Sequence, residues 1–375
     1  MLMRIWIIGR GYPTTSNKMW GSFELEQAKL LARNHFDVVY IALTLSFFSR
    51  NDKRGLRSFN EEGVQIYTYS RLYFPGKAGL YFEKFEDKCW KKLFKKAEND
   101  NGKPDIIHVH YPSMISSINE IEKYRRSGVR VFVTEHWSRV LTARLRKHEI
   151  ARLQYYANYA SCFISVGNSL EEAVRKTVEV KVPMTIIPNI VSPVFFETDH
   201  KKKDDGFTFI IVGRLVPLKQ FDVVINAFKE LFSENKSVRL EVVGSGEERK
   251  NLEKQASCDN IVFWGELISK EVAEKVSESD ALISFSKYET FAVPVAEALA
   301  CGKPVIVSDT AGIATYINDN NGIVVSSKDK ESLKEAMVSI IDNYGRFDHN
   351  YISNYAQQCF SDKSVYKQLN SLYQH

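Results

Sequence analysis

Twelve short runs of Val, Ile, Leu and Phe recur along this chain, and few of them alternate apolar with polar residues. Residues 4–8, 38–42, 106–109, 129–134, 162–166 and 185–187 fall in the first half. Residues 207–212, 238–243, 261–263, 281–284, 305–307 and 322–325 fall in the second. A strand that is apolar on both faces has no face to give to water, so such runs predict parallel sheets with helices on each side. The 375 residues suffice for two domains of ordinary size. The predicted fold class is α/β: two Rossmann-like doubly wound domains facing a central cleft. The first is expected at residues 1–195 and the second at 207–352. A polar linker at 196–206 carries Lys201-Lys202-Lys203-Asp204-Asp205, and a helical segment, 353–375, packs back on the first domain.

Composition narrows the class. Hydrophobic residues make up 44% and charged residues 26%, which excludes a disordered or fibrous chain. The longest apolar run, residues 38–48, is broken by Thr44 and Ser46 and is too short for a spanning helix, which needs about 20 residues. Arg4 sits inside the apolar N-terminus and no small-residue cleavage site follows, so this segment reads as a first strand. Cys89, Cys162, Cys258, Cys301 and Cys359 are far apart and form no CxxC pair, a reduced pattern with neither a disulfide framework nor a zinc site. A cytoplasmic location is expected. Charge is uneven: 30 Lys and Arg stand against 21 Asp and Glu up to residue 200, and 21 against 25 thereafter. The first half is thus +9 and the second −4. A basic half suits an anionic partner, although ordinary surface variation gives the same count.

In open parallel sheets ligands sit beyond the carboxyl ends of the strands, so the loops there carry the chemistry. Gly9-Arg10-Gly11, Gly213-Arg214 and Gly244-Ser245-Gly246 follow strands, but none completes GxGxxG, which gives a bound NAD little support. The loop 285–294 leaves a buried strand and enters a helix, with Pro294 in its first turn. Free backbone N–H groups at a helix start suit phosphate. Glu289 lies just before that start and Glu297 just inside it, placed to accept hydrogen bonds from hydroxyls of a ribose and a sugar. The plainer reading is a solvated loop acid and a helix N-terminal acid. Arg214 and Lys219 lie across one turn after the strand 207–212. Two cations there suit a departing diphosphate, and a lysine at a helix start opposes the dipole unless an anion answers it.

These residues resemble the family-4 retaining glycosyltransferases of the two-domain GT-B fold. Glu289 to Glu297 matches the family's E-x7-E motif, and Gly213 to Lys219 matches G-R-L-x-x-x-K. Val243-Gly244-Ser245-Gly246-Glu247 is similar to its V-G-x-G-x turn, Ile187-Pro188-Asn189 to its I-P-N segment, and Ala300 to Val305 to A-x-G-x-P-V. The resemblance implies that the second domain grips a nucleotide sugar. Glu297 would hold the ribose, Arg214 and Lys219 the diphosphate, and Glu289 the hydroxyls of the transferred sugar. Gly213, Gly244, Gly246 and the backbone of Thr290, Phe291 and Ala292 would line the donor. His136, after Thr134-Glu135, matches the family's cleft histidine; outside that family it would read as a loop cap. Gly11 and Gly21 would be the small residues that admit the donor, and Gly21 also reads as a helix N-cap. Two positions depart from the family: Ala292 stands where glycine is usual, and Ala311-Gly312-Ile313-Ala314-Thr315 lacks the glutamate of G-G-x-P-E.

No metal is expected. His108 and His110 share one strand face without a nearby carboxylate or cysteine, and no D-x-D stands in the chain to carry a metal under a diphosphate. The segment 81–96 is an amphipathic helix with Tyr81, Phe85, Cys89 and Leu93 at i+4 and lysines flanking. It reads either as a domain helix facing the core or as an interfacial helix at anionic lipid or lipid-linked pyrophosphate. No nucleic-acid-binding signature accompanies the charge. The expected function is a retaining transfer of sugar from a nucleoside diphosphate donor to a hydroxyl of a glycan or lipid-linked glycan, in surface polysaccharide biosynthesis, with peripheral contact at the inner face of the membrane. The alternatives are a GT-B-fold sugar-nucleotide epimerase and a silent nucleotide-sugar-binding subunit.

Overall fold

The computed structural model describes residues 2–14, 20–46, 54–72, 79–198 and 206–374. It divides into two compact units. One comprises Met1–Val166, Leu170–Ile190 and Gln368–His375; the other comprises Gly167–Ser169 and Val191–Lys367. The stretch assigned as the linker lies, from residue 199 to residue 205, outside the described residues.

The first unit is built on β1 (Arg4–Gly9), β2 (Asp37–Ser46), β3 (Gly55–Glu61), β4 (Val64–Leu72), β5 (Ile106–His110), β6 (Arg130–Glu135), β7 (Cys162–Ser165) and β8 (Met184–Ile186). Their order across the sheet is β3-β4-β2-β1-β5-β6-β7-β8. Every pairing is parallel except β3 with β4. The central strand shows why the pattern is continuous: Ile5, Trp6, Ile7 and Ile8 are all fully buried. Each such side chain contributes about 1.5–3 kcal/mol by burial. Helices cover both faces. The helix Gly79–Asn101 lays Cys89, Trp90, Leu93, Phe94 and Ala97 into the core, and Trp6 meets Phe94 edge-on at 5.6 Å.

Continuous apolar runs do not predict the antiparallel hairpin β3–β4. Its strands alternate polar and apolar residues, and its Glu62-Gly63 turn has positive φ at both positions (49° and 83°), the two-residue turn that suits hairpin twist. A reading tuned to fully buried strands passes over such an edge.

The second unit is an all-parallel sheet of β9 (Phe207–Val212), β10 (Val238–Val243), β11 (Ile261–Gly265), β12 (Ala281–Ser284), β13 (Val305–Ser308) and β14 (Gly322–Val325), in the order β11-β10-β9-β12-β13-β14. The tail expected to leave this unit at residue 353 stays with it through Lys367. Helix His349–Phe360 buries Ile352, Ala356 and Phe360. The Ser353 hydroxyl donates to the Ala300 carbonyl at 2.7 Å, and Val191 N–H donates to the Phe360 carbonyl at 3.0 Å. The last helix, Asp362–Gln374, delivers its final residues to the first unit, where the Tyr373 hydroxyl meets His108.

Candidate functional site

In the second unit, loops at the carboxyl ends of β9, β10, β12 and β13 are stitched together by their own backbones. Leu215 N–H donates to the Ser245 carbonyl at 3.0 Å, Lys287 N–H to Leu218 at 2.9 Å, and Gly312 N–H to Glu289 at 3.1 Å. Gly244 has φ +134°, and a Cβ there would lie 1.9 Å from the Gly213 carbonyl oxygen. At Gly312 a Cβ would lie 2.1 Å from the Thr290 carbonyl oxygen. Glycine at both places lets these four loops lie backbone to backbone in two pairs. Gly246 sits in the same turn, against Leu215.

The structure brings Lys219 and Glu289 into direct contact: the ammonium donates to the carboxylate, and both side chains are largely covered. Lys219 closes the short 3-10 turn Pro217–Lys219 rather than opening an α-helix. The anion expected from outside is thus supplied in part by Glu289. Arg214 is exposed and does not join that pair. Phe291 is 1% exposed, with its ring against Phe360 at 5.7 Å, so only its backbone is available to a ligand.

Helix Val293–Ala300 begins with Pro in its first turn and with Ala292 at the N-cap in the left-handed region, φ 76° and ψ 66°. The position where the family usually has glycine is therefore one that favours glycine. Glu297 lies in the second turn, half-buried, and desolvation pushes its carboxyl up to about 7. A carboxyl held this way lacks a charged partner in the unliganded protein and gains most from hydroxyl donors.

The first unit gathers a second cluster at the carboxyl ends of β1, β5 and β6. His136 follows β6. Its backbone N–H and that of Trp137 both donate to buried Glu135, at 2.9 Å each, and the Ser113 hydroxyl donates to the other oxygen at 2.7 Å. The His136 ring stacks on Tyr111 at 4.9 Å, and its Nε2 meets His110 Nδ1 at 3.0 Å. Tyr111 has φ 54°. Arg10 lies over its ring at 4.2 Å and over Trp20 at 5.0 Å, with buried Glu24 at 3.4 Å from Nε. Gly11 packs under Trp20, and its carbonyl accepts from the Tyr40 hydroxyl at 2.6 Å. Gly21 caps helix Ser22–Arg33 in the left-handed conformation. Burial pushes His136 down to about 3 and holds His110 well below the usual histidine range. Sequence reasoning missed Arg10, Glu24, Glu135 and His110 as parts of this cluster. For Arg10, His110 and Glu135 the signal available was a charged or histidine residue at the end of an otherwise apolar strand; Glu24, in the first turn of helix Ser22–Arg33, carried none. Among the described residues no three His, Cys, Asp or Glu side chains group so as to hold a metal.

Two Rossmann-like units with these loops define a GT-B architecture. Residues 195–358 match the family described as glycosyl transferases group 1, and residues 21–195 match glycosyltransferase family 4. The chain belongs to the family-4, group 1 glycosyltransferases. It is 28% identical over 235 residues to an uncharacterized glycosyltransferase of Methanocaldococcus jannaschii, covering 57% of this chain and 59% of that one. It is 27% identical over 199 residues to the GDP-mannose-dependent alpha-(1-6)-phosphatidylinositol dimannoside mannosyltransferase of Mycobacterium tuberculosis, 52% of each. The matched region thus spans between half and three-fifths of these relatives. Among solved structures, sucrose-phosphate synthase from Thermosynechococcus elongatus superposes with a TM-score of 0.76 at 19% identity, over 99% of this chain and 98% of that one.

Proposed function

We propose that the protein transfers a sugar from a nucleoside diphosphate sugar to a hydroxyl of a glycan or lipid-linked glycan, with retention at the anomeric carbon. The observation that carries this is the second unit's loop cluster, in which Lys219 pairs with Glu289 beside a helix start and Glu297 lies just inside that helix, its carboxyl pushed up by burial. On donor binding, Lys219 and Arg214 meet the diphosphate, Glu289 turns to the sugar hydroxyls and Glu297 to the ribose. As the bond from the anomeric carbon to the phosphate oxygen breaks, the acceptor oxygen bonds to that carbon. The acceptor's proton passes to the departing diphosphate. The two cations offset the charge that develops there. The proposal includes no divalent metal, on the grounds that no D-x-D is present and that two cations already serve the diphosphate. A nucleotide-sugar donor and a lipid-linked acceptor are favoured by the mycobacterial relative, whose name carries both GDP-mannose and phosphatidylinositol dimannoside.

A screen of nucleotide sugars by thermal stabilisation identifies the donor, because a ligand that binds the native state raises the melting point. Release of nucleoside diphosphate in EDTA, only when acceptor is added, is the expected result. Release without acceptor, interconversion of the free sugar nucleotide, or binding without any release would favour an epimerase or a silent subunit instead.

A further inference from the structure

We infer that His136 is held as a fixed neutral ring, with its proton on Nδ1, and that His110 is the positioning residue that holds it. The histidines on β5 form a chain of hydrogen bonds whose direction can be followed. His108 Nδ1 receives the Gln27 side-chain amide at 3.1 Å and the Tyr373 hydroxyl at 2.5 Å. A nitrogen that accepts carries no proton, so neutral His108 is protonated on Nε2 and donates to the Thr134 hydroxyl at 2.7 Å. His110 stacks on His108, ring centroids 4.6 Å apart, and is 1% exposed. Its Nδ1 faces His136 Nε2 at 3.0 Å, and its own Nε2 is buried without a partner.

One of the two facing nitrogens carries the proton. Were it His136 Nε2, neutral His110 would keep its proton on Nε2 and bury an N–H with nothing to receive it. Orphaned buried N–H groups are rarer than under-satisfied acceptors, because a lone pair loses less on desolvation. The proton therefore belongs to His110 Nδ1, and His136 Nε2 accepts. The remaining ring nitrogen of His136, Nδ1, then carries the proton.

Burial, Arg10 and His108 all disfavour a positive charge on the ring, Tyr111 stacks on its face, and Glu135, the nearest acid in sequence, spends its oxygens on Ser113, Trp137 and the His136 backbone. With Nε2 engaged by the His110 proton, His136 takes no proton there during transfer. It presents a fixed wall. That consequence rests on the transferase reading, in which the diphosphate takes the acceptor proton; the tautomer itself does not.

Nitrogen-15 NMR of the histidine-labelled full chain tests it, with the His136 resonances assigned by their loss in His136→Asn. The expected spectrum shows His136 as the Nδ1–H tautomer, unchanged from about pH 5.5 to about pH 8. His110→Asn, whose amide nitrogen reproduces the Nδ1 donor, should keep that tautomer. His110→Phe should shift it or let the ring titrate. A wild-type His136 that is Nε2–H or titrates near 6.5 overturns the proposal, as does an unaltered tautomer in folded His110→Phe. The wild-type spectrum decides even if the phenylalanine variant does not fold, and it decides independently of whether any sugar is transferred.

Discussion

Glu297 shows at the scale of one residue how a site is kept ready at a cost to stability. Its carboxyl is pushed up to about 7 in the fold from an ordinary value of 4.5. The unfolded chain therefore releases this proton first, and folding is penalised progressively from about pH 4.5 to about pH 7, by up to about 3 kcal/mol once both states are ionised. Glu297→Gln should raise the melting point at about pH 8 and change it little at about pH 5, while weakening donor binding. Equal effects at both pH values would show that the carboxyl is not desolvated. Hydroxyls that favour the carboxylate should also make donor binding tighten as pH rises through about 7, measurable by titration calorimetry. Glu289 is the opposite case, already paired with Lys219. Glu289→Gln removes a charged hydrogen bond from the transition state and should lower turnover by roughly 10²–10³, or about 2–4 kcal/mol. Near-wild-type turnover would remove Glu289 from the proposed chemistry. Ala292 bears a methyl group in a left-handed conformation that costs about 1–2 kcal/mol. Ala292→Gly should therefore leave the melting point unchanged or raised, where glycine at an ordinary helix start would lower it.

At the scale of elements, what the sequence made legible depended on which physical signal each element carries. Most strands covered on both faces announced themselves through continuous apolar runs, as in β1, β5 and β9; β4, buried from Ile66 to Tyr69, did not, because Gln65, Thr68 and Ser70 break its run. The β3–β4 hairpin was hidden: an edge strand with residues such as Arg57, Ser58 and Asn60 is half solvated and reads as loop. The donor-side residues were legible as motifs, since Gly244 and Gly312 cannot be replaced without separating the loops. The Lys219–Glu289 contact was not, because the two residues are 70 positions apart and spacing carries no information on which loops touch. Nor was the His110–His136 bond, formed between neighbouring parallel strands. The helix Gly79–Asn101 resolves one open choice. Cys89 at 3% and Leu93 at 0% exposure face inward alongside Trp90 and Phe94, while Phe85 is half-buried under Arg71. Tyr81 lies at its start, where side chains fall outside the described residues. Leu93→Ala should cost about 2–5 kcal/mol in denaturant unfolding, as a core truncation does. A loss under about 0.5 kcal/mol would mean that this face is not core.

At the scale of the whole molecule, the uneven charge and the buried apolar face together define what kind of membrane contact this protein could make. The basic excess lies before residue 201, and Lys84, Lys88, Lys91, Lys92 and Lys95 are exposed on the helix whose greasy side is already spent on the core. Among the described residues no helix is long and apolar enough to cross a membrane. A contact built this way is electrostatic, worth about 1 kcal/mol for each lysine near an anionic surface, with no insertion to hold it when charge is screened. The protein should sediment with vesicles rich in anionic lipid at low salt, ignore neutral vesicles, and be released fully at about 1 M salt, where the screening length is about 3 Å. Reversing Lys88, Lys91 and Lys95 to glutamate should abolish sedimentation while leaving the melting point nearly unchanged, since these side chains are exposed; Lys92 is spared because its ammonium lies over the Tyr69 ring. Binding that survives high salt would point to apolar insertion from another part of the chain. Sedimentation that is absent at low salt, or unmoved by the triple reversal, would leave this helix as scaffold and make a soluble glycan the better acceptor.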